Sequence, residues 1–130
     1  MREIKFRAWD DENKKMYHEV SSFNIYKLMQ FTGLKDKNGT PVYESDILLI
    51  PDTYIIPITE DGAGPEEECN HLVAVEFGNS SFGIQIPKDD DGMSPGWYSF
   101  ERLEDEGRLD DLEVIGNIYE NPELLRGSTS

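Results

Sequence analysis

Residues 73–86 constrain the fold more than any other stretch. Val73, Val75 and Phe77 alternate with Ala74 and Glu76. After Gly78-Asn79-Ser80-Ser81, Phe82, Ile84 and Ile86 alternate with Gly83 and Gln85. A period of two puts six apolar side chains on one face of a two-stranded ribbon. A ribbon greasy on one side must be covered by further strands, so this stretch predicts an all-β layer or barrel.

Other segments agree. Phe6 and Ala8 alternate with Lys5 and Arg7, continuing from Ile4, which predicts a first strand with one buried face. Asp10 to Lys15 reads as a polar turn, and Met16-Tyr17 starts a returning strand. Residues 20–31 fit a helix or a strand, with extended structure favoured from Leu28 to Thr32. Asn38-Gly39 is a hairpin signal, since both residues tolerate φ > 0. Pro41 cannot donate to a ladder, which predicts a sheet edge there. Ile47 to Ile50 is an apolar run suited to a buried strand. Tyr54 to Ile58 reads as a short extended piece broken by Pro57. Residues 60–70 hold Gly62, Gly64, Pro65 and the acids Glu66 to Glu68, which predicts a mobile loop. Lys88 to Gly96 reads as a second acidic loop, and Trp97 to Phe100 as extended again. Glu101 to Asp111 is charged, anchored by Leu103, Leu109 and Leu112.

Near the end, residues 114–119 are predicted to complete a barrel, with Gly116 marking a bulge or a close backbone approach. Asn121-Pro122-Glu123 reads as the start of one helical turn, whose Leu124 and Leu125 would cover the open end. Removal of Gly127 to Ser130 is expected to do nothing, whereas truncation after Tyr119 is expected to unfold the chain.

The fold class so predicted is all-β: a small, partly open barrel with extra strands and loops and a short C-terminal helical turn. At 130 residues the chain fits one domain over 1–130. Two tryptophans, six tyrosines and six phenylalanines argue against disorder. The net charge of −15 repels a phosphate backbone, so direct nucleic-acid binding is disfavoured. It also raises an alternative, an acidic decoy that mimics nucleic acid toward a basic protein partner. No apolar run reaches the length of a signal peptide or a membrane span, which predicts a cytoplasmic protein with no membrane contact.

Catalytic constellations are absent from the sequence pattern. Cys69 is the single cysteine, so no internal disulfide forms. The acids at 66–68 would raise its thiol pKa, which predicts an incidental loop cysteine rather than a nucleophile. Calcium-loop spacing fails around Gly92, where Pro87 and Tyr98 fall at the end positions, and around Gly39, where Leu34 and Ser45 do. Loose cation attraction by Asp89-Asp90-Asp91 is the weaker reading of that loop. One cysteine and two distant histidines, His18 and His71, cannot supply a four-ligand zinc site by themselves, so zinc is dismissed and no cofactor is expected. Phosphate-binding and nucleophile-elbow motifs are missing.

Four segments carry a family resemblance: Arg7-Ala8-Trp9-Asp10, Met29-Gln30-Phe31-Thr32-Gly33-Leu34-Lys35-Asp36-Lys37-Asn38-Gly39, Tyr43-Glu44-Ser45-Asp46-Ile47, and Glu113 to Leu125. On these residues the chain resembles the YopX family of phage and prophage proteins. Residues 51–70 and 88–111 stand outside it as variable acidic loops. Ser45 replaces the glycine usual in that family, which leaves open whether this turn takes φ > 0. The resemblance implies an SH3-like barrel and a phage or prophage accessory role in the bacterial host cytoplasm. It implies no enzymatic activity and no cofactor. The expected function is a non-enzymatic binding or assembly module, acting on a protein partner or on itself. Candidate partner-binding residues are Arg7 and Trp9, from the locally basic start, and Tyr43, Glu44 and Asp46.

Overall fold

The computed structural model describes residues 5–18, 27–59, 62–78, 80–88 and 92–127. The described residues form three antiparallel sheets. The first runs β2 (Lys15–His18), β1 (Phe6–Asp10), β3 (Lys27–Lys35) and β4 (Pro41–Tyr43). The second places β5 (Asp46–Thr59) between β10 (Glu113–Asn117) and β6 (Gly62–Ala74). The third runs β7 (Glu76–Gly78), β8 (Ser81–Ile86) and β9 (Gly96–Ser99). Together they make a small, mostly β, half-closed barrel, in which the described residues also form the short helices α1 (Phe100–Asp105) and α2 (Glu123–Gly127) and a 3-10 turn at Leu109–Asp111.

The main core lies between the second and third sheets. Leu48, Ile50, Val73, Val75, Phe82, Ile84, Ile86 and Tyr98 meet there, with Leu103 of α1 and Leu112 sealing one end. The ribbon expected at 73–86 is present, but split: β6 ends at Ala74 and β7 starts at Glu76. Five of its six apolar side chains are buried. Phe77 is the exception, 56% exposed, with its ring edge-on to Phe82 at 5.0 Å.

Three further expectations need correction. Residues 51–59 and 62–70 are not loop but prolong β5 and β6 into a long hairpin, with Asp52 opposite Cys69 and Thr53 opposite Glu68. The acids Glu66 to Glu68 stay exposed there, while the ladder to β5 pairs the backbone groups on that side of the strand. Pro51 falls beyond Leu49, the last β5 residue paired with β10, so the ladder on that side does not need its missing N–H. Within 88–111, residues 100–105 are helical. Ser99 accepts from Arg102 N at 3.2 Å as an N-cap, Phe100 and Leu103 bury one face, and Gly107 follows at φ +73°. At Asn38-Gly39 only Gly39 has positive φ, at +84°, because Asp36 rather than a two-residue turn organises the reversal.

The C-terminal expectation holds in outline. β10 pairs with β5, with a register shift between Val114 and Gly116. A side chain at Gly116 would meet Asn121 Oδ1 at 2.5 Å, a close approach of the kind glycine serves. The Asn121 side chain accepts from Asn117 N at 3.2 Å, its carbonyl accepts from Leu124 N at 3.1 Å at the start of α2, and Leu124 and Leu125 are only half-buried. Truncation after Tyr119 is therefore expected to cost about 1.5–3 kcal/mol, a loss of stability without global unfolding. A urea melt of the truncated chain checks this. The predicted acids at 89–91, the segment 20–26, and Ser128 to Ser130 lie outside the described residues.

Candidate functional site

The residues that carry the resemblance converge on one place. β4 and β5 are joined by the turn at Glu44-Ser45, and this turn is where the three sheets meet. Ser45 N donates to Val75 O at 2.8 Å, Val75 N to Asp46 O at 2.8 Å, and Ile118 N to Ser45 O at 2.9 Å. Glu44 N donates to Gln30 O at 3.0 Å, and Glu44 Oε1 accepts from Gln30 N at 2.8 Å. Both backbone polar groups of Ser45 are thus committed, and its φ is fixed at +72°. The turn does take φ > 0, which costs a non-glycine residue about 1–2 kcal/mol. Ser45→Gly is expected to stabilise the protein by about 0.5–1 kcal/mol, part of the relief being offset by the freer unfolded chain. A raised melting temperature checks it; a lowered one contradicts it.

Arg7 crosses from β1 to this turn. Its Nη2 donates to Asp46 Oδ1 in a close ion pair and to Glu44 O at 3.2 Å. Its guanidinium lies 4.7 Å from the Tyr43 ring centroid. Tyr43 N donates to Asp46 Oδ2 at 2.8 Å. Arg7 is 7% exposed and Asp46 1%. Burial pushes the Asp46 carboxyl above its ordinary range, against the pull of Arg7 and the Tyr43 amide. Trp9 is buried too, stacked on Tyr119 at 5.7 Å, and its Nε1 donates to Asp11 at 3.4 Å. So Arg7, Tyr43, Glu44 and Asp46 are brought together, and Trp9 sits apart. Burial leaves Arg7, Trp9, Tyr43 and Asp46 almost no surface for a partner. What the arrangement does chemically is tie sheets together.

Asp36, in a quoted segment but not singled out, is a second tie. It accepts from Asn38 N and Thr40 N, each at 2.9 Å, and from Val114 N at 2.8 Å, fixing β10 to the β3–β4 turn. Burial alone would raise its carboxyl pKa, yet these amide donors hold it below 3.8. A depressed folded pKa contributes stability that is present above the unfolded value and lost as pH falls through the folded one. Stability is therefore expected to drop below about pH 4, less steeply in Asp36→Asn than in the parent. Thermal melts across that window measure the difference.

The accessible feature lies elsewhere. A groove of about 320 Å³ opens between β3, the β7–β8 turn and α1. Leu34, Phe77, Phe82, Phe100 and Leu109 line it, and Glu101 and Glu104 stand at its side. Nothing in the sequence marked it, because its walls come from four separate segments. The exposed Phe77 is the signal that betrays it once the strand split is known.

Cys69 is the other surprise. It lies in β6, not a loop, and its thiol, the Asp52 carboxylate and a ring nitrogen of His71 all fall within 4.8 Å of one another. His71 Nε2 is 3.0 Å from Asp52 Oδ2. Burial works to raise the Asp52 pKa, but the bonds from His71 and the Thr53 amide, with Arg108 nearby, set it lower than usual.

Fold and ties together define a small half-barrel in which three sheets are pinned through one half-buried turn flanked by the buried Tyr43 and Asp46. A family model described as YopX protein matches residues 17–126. The SPbeta prophage-derived protein YopX of Bacillus subtilis (strain 168) is 32% identical over 137 aligned positions, spanning 92% of this chain and 87% of that one. The crystal structure of protein EF1440 from Enterococcus faecalis superposes with a TM-score of 0.59 at 26% identity, covering 96% of this chain and 99% of that one. The chain belongs to the YopX family, as its quoted segments implied. No helix among the described residues is long and apolar enough to cross a membrane.

Proposed function

We propose that this protein is a non-enzymatic, prophage-encoded accessory module that works in the bacterial host cytoplasm by docking a segment of a protein partner. The prophage source of the Bacillus relative supports the setting. The observation that carries the docking role is the groove beside Phe77. Its apolar floor and the two glutamates at its side, on a chain of net charge −15, suit a peptide that presents an apolar side chain between lysines or arginines. Selection of random displayed peptides on the protein tests this. Enriched peptides should carry an aromatic or aliphatic residue flanked by basic ones. Phe77→Ser should weaken them about tenfold or more with little change in melting temperature. Enrichment of acidic peptides, or binding indifferent to Phe77, would sink the proposal.

The charge favours a second reading, the acidic decoy that occupies a nucleic-acid-binding surface. Its affinity for a basic protein would fall steeply with salt and would not depend on Phe77. Turnover of a substrate lost on replacing Cys69 or His71 would count against both readings.

A further inference from the structure

We propose that Asp52, Cys69 and His71 form a binding site for a thiophilic divalent cation of the Zn²⁺ class, with three protein ligands and a fourth position for water. Antiparallel pairing puts Asp52 directly opposite Cys69, and His71, two residues along β6, projects from the same face. One sulfur, one nitrogen and one oxygen donor thus converge across two strands. They do so within 4.8 Å, and a rigid ladder holds them there.

The surroundings fit a metal. His71 is 1% exposed, so its ring is fixed by packing rather than left to solvent. Arg108 Nη1 lies 3.4 Å from Asp52 Oδ1, which leaves Oδ2 turned toward His71. Ligating carboxylates are ordinarily oriented by such an outer partner. The backbone at Gly92 roofs the cluster. A side chain built there would reach Asp52 Oδ2 at 2.3 Å and Cys69 Sγ at 3.3 Å, and φ is +90°. Only glycine leaves that space open.

The donor set selects the ion. Thiolate with imidazole and carboxylate suits Zn²⁺ or Co²⁺, whereas Mg²⁺ and Ca²⁺ want oxygen alone. Tetrahedral Zn²⁺ with bonds of about 2.0–2.3 Å separates its ligand atoms by roughly 3.3–3.7 Å, so no pair within 4.8 Å has to close by more than about 1.5 Å. That is a rotamer-scale adjustment. The exposed Glu66 to Glu68, unfavourable to a bare thiolate, favour an incoming dication, and metal binding deprotonates the thiol.

The test uses the full chain, freed of metal under reducing conditions. Titration with Co²⁺ should give the thiolate-to-cobalt absorption band, saturating at one equivalent. Zn²⁺ should displace the Co²⁺ and raise the melting temperature. Cys69→Ser preserves size and should remove the band while weakening Zn²⁺ about tenfold or more. Should that variant misfold, the parent's band and its competition by Zn²⁺ but not by excess Mg²⁺ still decide the matter. Absence of the band in the parent protein overturns the proposal. So does Zn²⁺ binding that is unchanged in folded Cys69→Ser or abolished by excess Mg²⁺, either of which would assign the cation to the acidic surface.

Discussion

Replacing Arg7 by alanine is expected to destabilise the protein by about 3–5 kcal/mol, because it strands a charge in a site with almost no solvent. Asp46, 1% exposed, would keep only the Tyr43 amide as a partner. Asp46→Ala should cost as much from the other side, leaving the Arg7 guanidinium with Glu44 O and the Tyr43 ring. Either loss approaches the whole stability of a domain this size. Arg7→Lys should fare poorly as well. A lysine cannot reach Asp46 and Glu44 together in a planar fork, nor stack flat on Tyr43. The double variant Arg7→Met with Asp46→Leu should recover much of the deficit, since a well-packed apolar pair often matches a buried ion pair. Urea unfolding of the four variants measures these differences. Single variants as stable as the parent would show that the pair is not what pins the sheets.

The second large effect is expected at Gly83. This glycine lies mid-way along β8, the central strand of its sheet, opposite both Glu76 and Ser99. A Cβ there would stand 2.4 Å from Tyr98 O, 2.7 Å from the Trp97 ring and 3.0 Å from Ser99 Cα. Two of those contacts are backbone, so no rotamer change relieves them. The strand pair β8–β9 would have to separate beneath Tyr98 and Ile84, both buried. Gly83→Ala should therefore cost about 3 kcal/mol or more, at the severe end of overpacking. Trp97→Ala in the same chain should not rescue it, because the carbonyl of Tyr98 remains. A melting temperature equal to the parent's would contradict this geometry.

Local chemistry was readable in the sequence, and long-range pairing was not. The alternation at Val73 to Ile86, the turn glycine at Gly39, the edge position of Pro41 and the bulge at Gly116 all follow from side-chain period or backbone freedom within a few residues. The hub was invisible because Arg7 and Asp46 are 39 positions apart, and no periodicity links them. Both were read as candidate partner-binding residues, Arg7 because of the locally basic start, yet they are buried. The hairpin at 51–70 was missed for a compositional reason. Gly62, Gly64, Pro65 and three acids read as loop, while the strand-forming Thr53 to Ile56 opposite them carried the true signal. That error hid the cation cluster, since Asp52 reaches Cys69 only through the ladder. The helix at Phe100 was missed, because Trp97 to Phe100 read as extended; its signals were Ser99 as a cap, Phe100 and Leu103 three apart, and Gly107 as a stop.

The residues marking this family hold the fold, and we propose that recognition occurs at the groove beside Phe77. Amide hydrogen exchange, with and without a selected basic, apolar peptide, separates the two most directly. The expected result is added protection at residues 77–82 and 100–104 on peptide binding, with residues 7–9 and 43–46 slow to exchange in both states. Peptide-dependent protection confined to 7–9 and 43–46, with none at Phe77 or along α1, would contradict it.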